Sequence, residues 1–186
     1  MRIIAGKWRG RPLATPAGAT TRPTADRTRE ALFSILTSRL GSFDGLAVAD
    51  IFAGTGALGL EAISRGAARA VFVDQDRAAV ATIRKNIATL GVERETEVIA
   101  AAVSALGPVR APCDLLLFDP PYGSGGAGAL LERLTRLGWA TPAAWATIET
   151  SDKEEVSAEG WAVEAERTYG KAKLSVLARL QSAPPG

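Results

Sequence analysis

Four consecutive residues, Asp119-Pro120-Pro121-Tyr122, combine the parts needed to act on an aromatic amine. An exocyclic amine such as guanine N2 is a poor nucleophile, because its lone pair is delocalised into the ring. Alkylating it requires the nitrogen to move toward tetrahedral geometry. Two acceptors aimed at its N–H groups favour that geometry and the positive charge that develops. The Asp119 carboxylate and the Pro120 carbonyl are candidates for those acceptors. Pro120 and Pro121 each fix φ, which holds the carbonyl in place. Tyr122 offers a ring on which an extruded base can stack. No strong base is needed, since the amine becomes acidic as it is alkylated, and the chain has no histidine to provide one.

A second group of residues reads as a ligand loop. Asp50-Ile51-Phe52-Ala53-Gly54-Thr55-Gly56-Ala57-Leu58-Gly59 follows an apolar run. Glycines at these spacings permit a tight turn, close ligand approach and close packing of the next helix. Asp74, 20 residues after Gly54, can accept hydrogen bonds from ribose hydroxyls. The same spacing suits a dinucleotide, so the glycines alone do not choose between NAD and S-adenosylmethionine (SAM). Asp50 favours SAM. A carboxylate there repels a pyrophosphate, whereas SAM has no phosphate and carries an ammonium and a sulfonium. The candidate cofactor residues are Asp50, Phe52, Ala53, Gly54, Thr55, Gly56, Gly59 and Asp74.

Absences narrow the chemistry further. With no histidine and Cys113 as the only cysteine, an intrachain disulfide and a Cys/His zinc site both lack ligands. Ser-His-Asp and Cys-His nucleophile systems are excluded too. Cys113, just before the run Leu115-Leu116-Leu117-Phe118, is expected to be a buried structural thiol. No apolar run reaches the roughly 18 residues of a membrane span. The opening Met1–Gly10 is too polar for a secretory segment. These features lead us to expect a cytoplasmic protein with no membrane and no metal.

Positioning both groups requires alternating strands and helices. Strands are expected at Leu46–Ile51, Ala70–Val73, Glu97–Ala100, Asp114–Phe118 and Ala144–Glu149. Helices are expected at Ala57–Ser64, Ala78–Leu90 and Leu130–Leu137. The tail, Trp161–Thr168 and Leu174–Leu180, reads as an antiparallel hairpin, and Ser182–Gly186 as disordered. This is the pattern of an α/β, doubly wound Rossmann-like sheet, mostly parallel. In such sheets ligands lie beyond the carboxyl ends of the strands. Both residue groups fall at such ends.

Ahead of the sheet lies a basic extension. Residues 2–14 read as a small hairpin, 15–25 as a loop, and Thr24 as the cap of a helix from about Ala25 to Leu40. Residues 1–40 hold eight basic and two acidic side chains, while the whole chain has a net charge of only +2. Such polarity suggests an arm facing a polyanion. Arg22, Arg27 and Arg29 are the candidate RNA-binding residues. The expected organisation is thus 1–40 as the extension, 41–181 as the catalytic domain and 182–186 as the tail.

The chain also resembles a known family. Asp-Pro-Pro-Tyr with Asp50–Gly59 and Val73-Asp74 looks like an amino-methyltransferase of the class I SAM fold. Arg2-Ile3-Ile4-Ala5-Gly6, Arg22-Pro23-Thr24, Arg27 and Arg29-Glu30-Ala31-Leu32-Phe33 are similar to the N-terminal signature of the bacterial RsmD-type enzymes. Asp50–Ala62 and Ser64-Arg65-Gly66-Ala67 carry the likeness on, so that it spans nearly the whole chain. It implies methylation of guanine N2 in 16S ribosomal RNA, within an assembling small ribosomal subunit, with SAM as cofactor. Two departures stand out. The family's acid after the third strand would fall near Ala102, where Ala101, Ala102 and Val103 offer no carboxylate. The acid after the second strand is Asp74 rather than Glu. Competing readings are a DNA adenine-N6 or cytosine-N4 methyltransferase, an NAD-dependent oxidoreductase and a catalytically silent ribosome-assembly factor.

Overall fold

Helix α1 (Pro23–Leu40) precedes a region in which buried strands and helices alternate. Strands β1 (Ala47–Ile51), β2 (Arg69–Asp74), β3 (Thr96–Ala100), β4 (Cys113–Phe118) and β5 (Ala140–Ser151) run parallel. Helix α2 (Ala57–Ser64) joins β1 to β2, α3 (Arg77–Leu90) joins β2 to β3, and α4 (Ala127–Arg136) joins β4 to β5. Strands β6 (Trp161–Tyr169) and β7 (Ala172–Arg179) close the sheet as an antiparallel pair. The structure, a computed structural model, describes residues 1–18, 23–121 and 123–182, with residues 23 and 24 described by backbone alone.

The sheet order is β3-β2-β1-β4-β5-β7-β6. The central strands read as unbroken apolar runs because both of their faces are covered: Val48, Ala49 and Ile51 of β1, and Leu115, Leu116, Leu117 and Phe118 of β4, are buried. Helix α3 shows the other periodicity. Ala79, Val80, Ile83, Ile87 and Leu90 recur every three or four residues and form its inner face. Its ends are marked by Asp76, which accepts from the Ala78 N–H at 3.1 Å, and by Gly91. From β1 the chain crosses to β2 on one side, while β4 pairs with β1 on the other. The crevice beyond β1 and β4 is therefore the switch point at which such sheets bind ligands.

Most boundaries match the sequence reading to within a residue, and some differ by more; helix α4 runs Ala127–Arg136 against the expected Leu130–Leu137. Helix α1 starts at Pro23, ahead of Ala25, so Thr24 lies inside the first turn. Proline is tolerated there because its missing N–H needs no helical partner. Strand β5 begins at Ala140, four residues early, where a register irregularity opposite Cys113 and Leu115 lets it start pairing sooner. The N-terminal hairpin is reduced to a single bridge, Arg2 to Pro12, with Ile3 N–H on the Arg11 carbonyl and Leu13 N–H on the Met1 carbonyl. Cys113 is buried, and burial pushes its thiol up to about 11. No helix among the described residues is long and apolar enough to cross a membrane. The 183–186 part of the expected tail lies outside the described residues.

The N-terminal arm shares the core of the sheet. Ile3 and Leu13, with Leu32, Phe33 and Leu36 of α1, join one apolar cluster with Val48, Leu60 and Phe72. Polar contacts fasten it. Glu61 of α2, fully buried, accepts from the N–H groups of Ile4 at 2.8 Å and Ala5 at 3.0 Å. Ser64 donates to the Ala5 carbonyl at 2.6 Å and accepts from the Trp8 N–H. Gly6 lies so close to α2 that a Cβ there would overlap the Ser64 carbonyl, and its φ of +84° already excludes most side chains. We expect Gly6→Ala to lift the arm from α2 and to cost about 1–3 kcal/mol, as overpacking does. Thermal melting checks this, at about 2–4 °C per kcal/mol for a chain of this size.

Candidate active site

Helix α2 starts with Gly56 in the left-handed region and no side-chain cap of its own. Its first N–H groups therefore need an outside acceptor. Asp50 supplies one, with Oδ2 accepting from the Gly59 N–H at 2.8 Å. Gly59 has no room for a side chain, since a Cβ would overlap the Phe72 ring and come within 3.2 Å of the Asp50 Cβ. The helix terminus is thus pulled onto the end of β1. Between them, Phe52 takes a φ of 62°, an arrangement that costs a non-glycine residue on the order of 1–3 kcal/mol.

Asp74 closes the loop from the β2 side. Its Oδ2 accepts from the Gly54 N–H and its Oδ1 from the Asp76 N–H, both at 2.9 Å. The Ala53 N–H donates to the Val73 carbonyl, and Asn86 of α3 donates to the Thr55 carbonyl at 2.9 Å. Each turn of the glycine loop is tied to a neighbouring element.

At the end of β4, the Asp119 N–H donates to the Ile51 carbonyl at 3.3 Å, which joins the two strand ends. Pro120 is buried and Pro121 exposed. The Asp119 carboxyl opens to solvent within a cleft whose walls crowd it. That crowding, and next the charge of Glu149, push it up to about 7. Asp50 lies deeper. Burial holds its carboxyl well above the usual carboxylate range; the Gly59 N–H works in the opposite sense, and the charges of Asp119 and Asp74 raise it further.

Two adjoining clefts meet at Phe52, Gly54, Asp119 and Glu149. The smaller, of about 560 Å³, is lined by Asp74, Asp76, Asp119 and Glu149, with no basic side chain among the described residues. The larger, of about 1060 Å³, runs from Asp50 and the glycine loop past Thr28 and Arg29 to Tyr169 and Lys171. Among the described residues, no group of three or more Asp, Glu, Cys or His side chains is placed to hold a metal ion.

Of the residues singled out from sequence, Asp50, Phe52, Gly54, Asp74, Asp119, Pro120 and Pro121 all line these clefts, as do Ala53 and Thr55. Gly56 and Gly59 act behind the loop, at the start of α2. Tyr122 and Arg22 lie outside the described residues. Arg27 is exposed. Arg29 is buried in the cleft wall, where its guanidinium pairs with Asp26 at 3.1 Å and bonds the Arg2 carbonyl. It therefore fastens the arm to α1 and stands away from the outer face. Sequence reasoning missed Glu149, Glu61 and Asn86. Glu149 had a visible signal, an acid at the end of a predicted strand; the other two had none.

The residues present fit SAM better than a dinucleotide. Oδ1 of Asp50 is buried without a protein partner among the described residues. A buried polar atom of that kind calls for a donor, and an ammonium is one. The acidic lining of the smaller cleft suits a cation and would repel a pyrophosphate. After β3, Ala102 merely precedes a single 3-10 turn, Val103–Ala105, and supplies no carboxylate.

The likeness to known proteins runs over nearly the whole chain. A family model described as conserved hypothetical protein 95 matches residues 1–178. Ribosomal RNA small subunit methyltransferase D of Escherichia coli strain K12 is 35% identical over 181 residues, covering 96% of this chain and 90% of its own length. The protein of the same name from Haemophilus influenzae is 36% identical over 177 residues, covering 91% and 89%. The solved structure of yhhF from Escherichia coli superposes with a TM-score of 0.83 at 34% identity, over 98% of this chain and 99% of that one. The chain belongs to the conserved hypothetical protein 95 family, the RsmD-type branch of the class I methyltransferases.

Proposed function

We propose that this protein transfers a methyl group from SAM to N2 of a guanine in 16S ribosomal RNA, within an assembling small ribosomal subunit. The observation that carries the reading is the juxtaposition of Asp50 and Asp74 with the Asp119-Pro120 turn across the β1/β4 switch point. The printed names of the relatives, ribosomal RNA small subunit methyltransferases, support the RNA substrate.

SAM, when bound, supplies an electrophilic methyl group on a sulfonium. Asp74 accepts from the ribose hydroxyls with the lone pairs not engaged by the loop. Asp50 faces the ammonium. Asp119 and the Pro120 carbonyl accept from the target amine and draw its nitrogen out of conjugation. Tyr122 stacks on the extruded base. The exposed basic side chains of the arm, Arg2, Lys7, Arg9, Arg11 and Arg27, with Arg22, meet RNA phosphates. No covalent enzyme intermediate is involved, which accords with a chain lacking histidine.

A radiolabelled-methyl assay with undermethylated small subunits, free 16S RNA and DNA tests this reading. N2-methylguanosine in subunits is expected. N6-methyladenosine or N4-methylcytosine in DNA would overturn it.

Further outcomes follow from the site and from the arm. Asp119→Ala should slow single-turnover methyl transfer by roughly 10²–10³-fold and leave SAM affinity largely intact. Only the Asp119 carboxylate accepts from the amine, so kcat/KM should fall as pH drops below about 7 and level off above it; Glu149→Gln, by removing a like charge, should move that midpoint to lower pH. Asp74→Ala should weaken SAM by roughly 1–3 kcal/mol in calorimetry, with tight NAD binding and no SAM binding as the contrary result. Finally, because Ile3 and Leu13 belong to the core, the arm is best probed by substitution. Replacing Arg9, Arg11 and Arg27 by Ala should flatten the salt dependence of RNA binding, by about one unit of slope per lost phosphate contact, and leave SAM affinity unchanged.

A further inference from the structure

Glu149 has no role in the mechanism above beyond its charge. Yet its place is specific. Ile148 of β5 pairs with Phe118 of β4, so Glu149 within β5 and Asp119, just past the end of β4, stand side by side, about 5 Å apart along the hydrogen-bonding direction. Both line both clefts. Glu149 is half-buried in the same crevice and its charge acts on Asp119. Two carboxyl groups thus lie side by side at the place proposed above for the target amine.

The Watson–Crick edge of guanine presents two donors in a row, N1–H and the N2 amino group. A carboxylate accepts only. Adenine beside its amine, and cytosine beside its own, present a ring-nitrogen lone pair instead, which a carboxylate repels. Resting on the guanine-N2 reading, we propose that Glu149 selects guanine by accepting the N1–H of the target base while Asp119 accepts from N2–H. A site built to bond a particular N–H rejects analogues lacking it, because its own polar group is left unpaired.

The contact also assists the chemistry. Hydrogen bonding at N1–H places electron density on the N1–C2–N2 unit and makes N2 more nucleophilic. The N2 lone pair forms the bond to the methyl carbon. The sulfur keeps the electron pair of the broken carbon–sulfur bond, and the surplus N2 proton passes to Asp119. The N1 proton stays on the base throughout.

The test alters the Watson–Crick edge of the substrate and keeps its amine. The methylated nucleotide is mapped first, and small subunits are then assembled with guanosine or 2-aminopurine at that position. 2-Aminopurine keeps the 2-amino group, exchanges N1–H for a lone pair and lacks the 6-oxo group; the last change is the same for every variant, so the comparison among variants reads the N1 contact. For the wild type, kcat/KM should favour guanosine by roughly 10²-fold or more. Glu149→Gln, whose amide can donate to that lone pair, should narrow the preference at least tenfold. Glu149→Asp, which keeps the carboxylate, should stay nearer the wild-type ratio. Melting curves establish that each variant is folded. An unchanged ratio in Glu149→Gln, or a ratio in Glu149→Asp as narrow as in Glu149→Gln, would overturn the role of Glu149 alone. A wild-type product other than N2-methylguanosine would overturn the guanine reading, and this proposal with it.

Discussion

The bond from the Gly59 N–H to the Asp50 carboxylate organises the whole site. A short helix without a cap of its own would fray, and α2 has only eight residues. The carboxylate one loop upstream answers the orphan N–H and so fixes the distance between strand end and helix start. The absence of a side chain at Gly59 lets Phe72 close in from β2. Everything else hangs on that placement. The glycine loop is stretched between the two, and the far turn of α2 presents Glu61 and Ser64 to the arm. A carboxyl group held in such a place is costly to ionise, and the raised Asp50 is the sign of that cost.

Charge is divided across the molecule in a way that composition hides. A net charge of +2 is the residue of two opposed regions. The switch-point crevice gathers Asp50, Asp74, Asp119 and Glu149, while the arm exposes Arg9, Arg11 and Arg27 outside it. A cationic small molecule and a polyanion can therefore be held at once, each by the region of opposite sign, without either being drawn into the other's place.

Much of this was legible in the sequence where the signal is local. Glycine spacing, a Pro-Pro turn and an acid at a strand end declare themselves within ten residues, and the alternation of strands and helices set the sheet. What stayed hidden depends on distant partners. Glu61 meets Ile4 across 57 residues, and Asn86 meets Ala14 across 72. Each reads as an ordinary polar residue of an amphipathic helix until the arm is placed against it. The same holds for Arg29, which counts as one more positive charge in the arm until the fold turns it inward. Helix α1 began early and β5 ran long for a related reason: propensity marks the middle of an element, and the ends are decided by what lies alongside.

The sheet order has a consequence for how the chain is made. Strand β7 leaves the ribosome after both β5 and β6, yet it sits between them. Until Ala172–Arg179 emerge, β5 keeps one whole edge unpaired and β6 has no place in the sheet. An open edge of that length is a template for pairing with another chain. The nascent protein therefore passes through a stage at which its switch-point strands, β1 and β4, are already flanked and its outer edge is still adhesive. A stop a few residues before Ala172 would leave a chain that holds both residue groups of the site and lacks the strand that seals them.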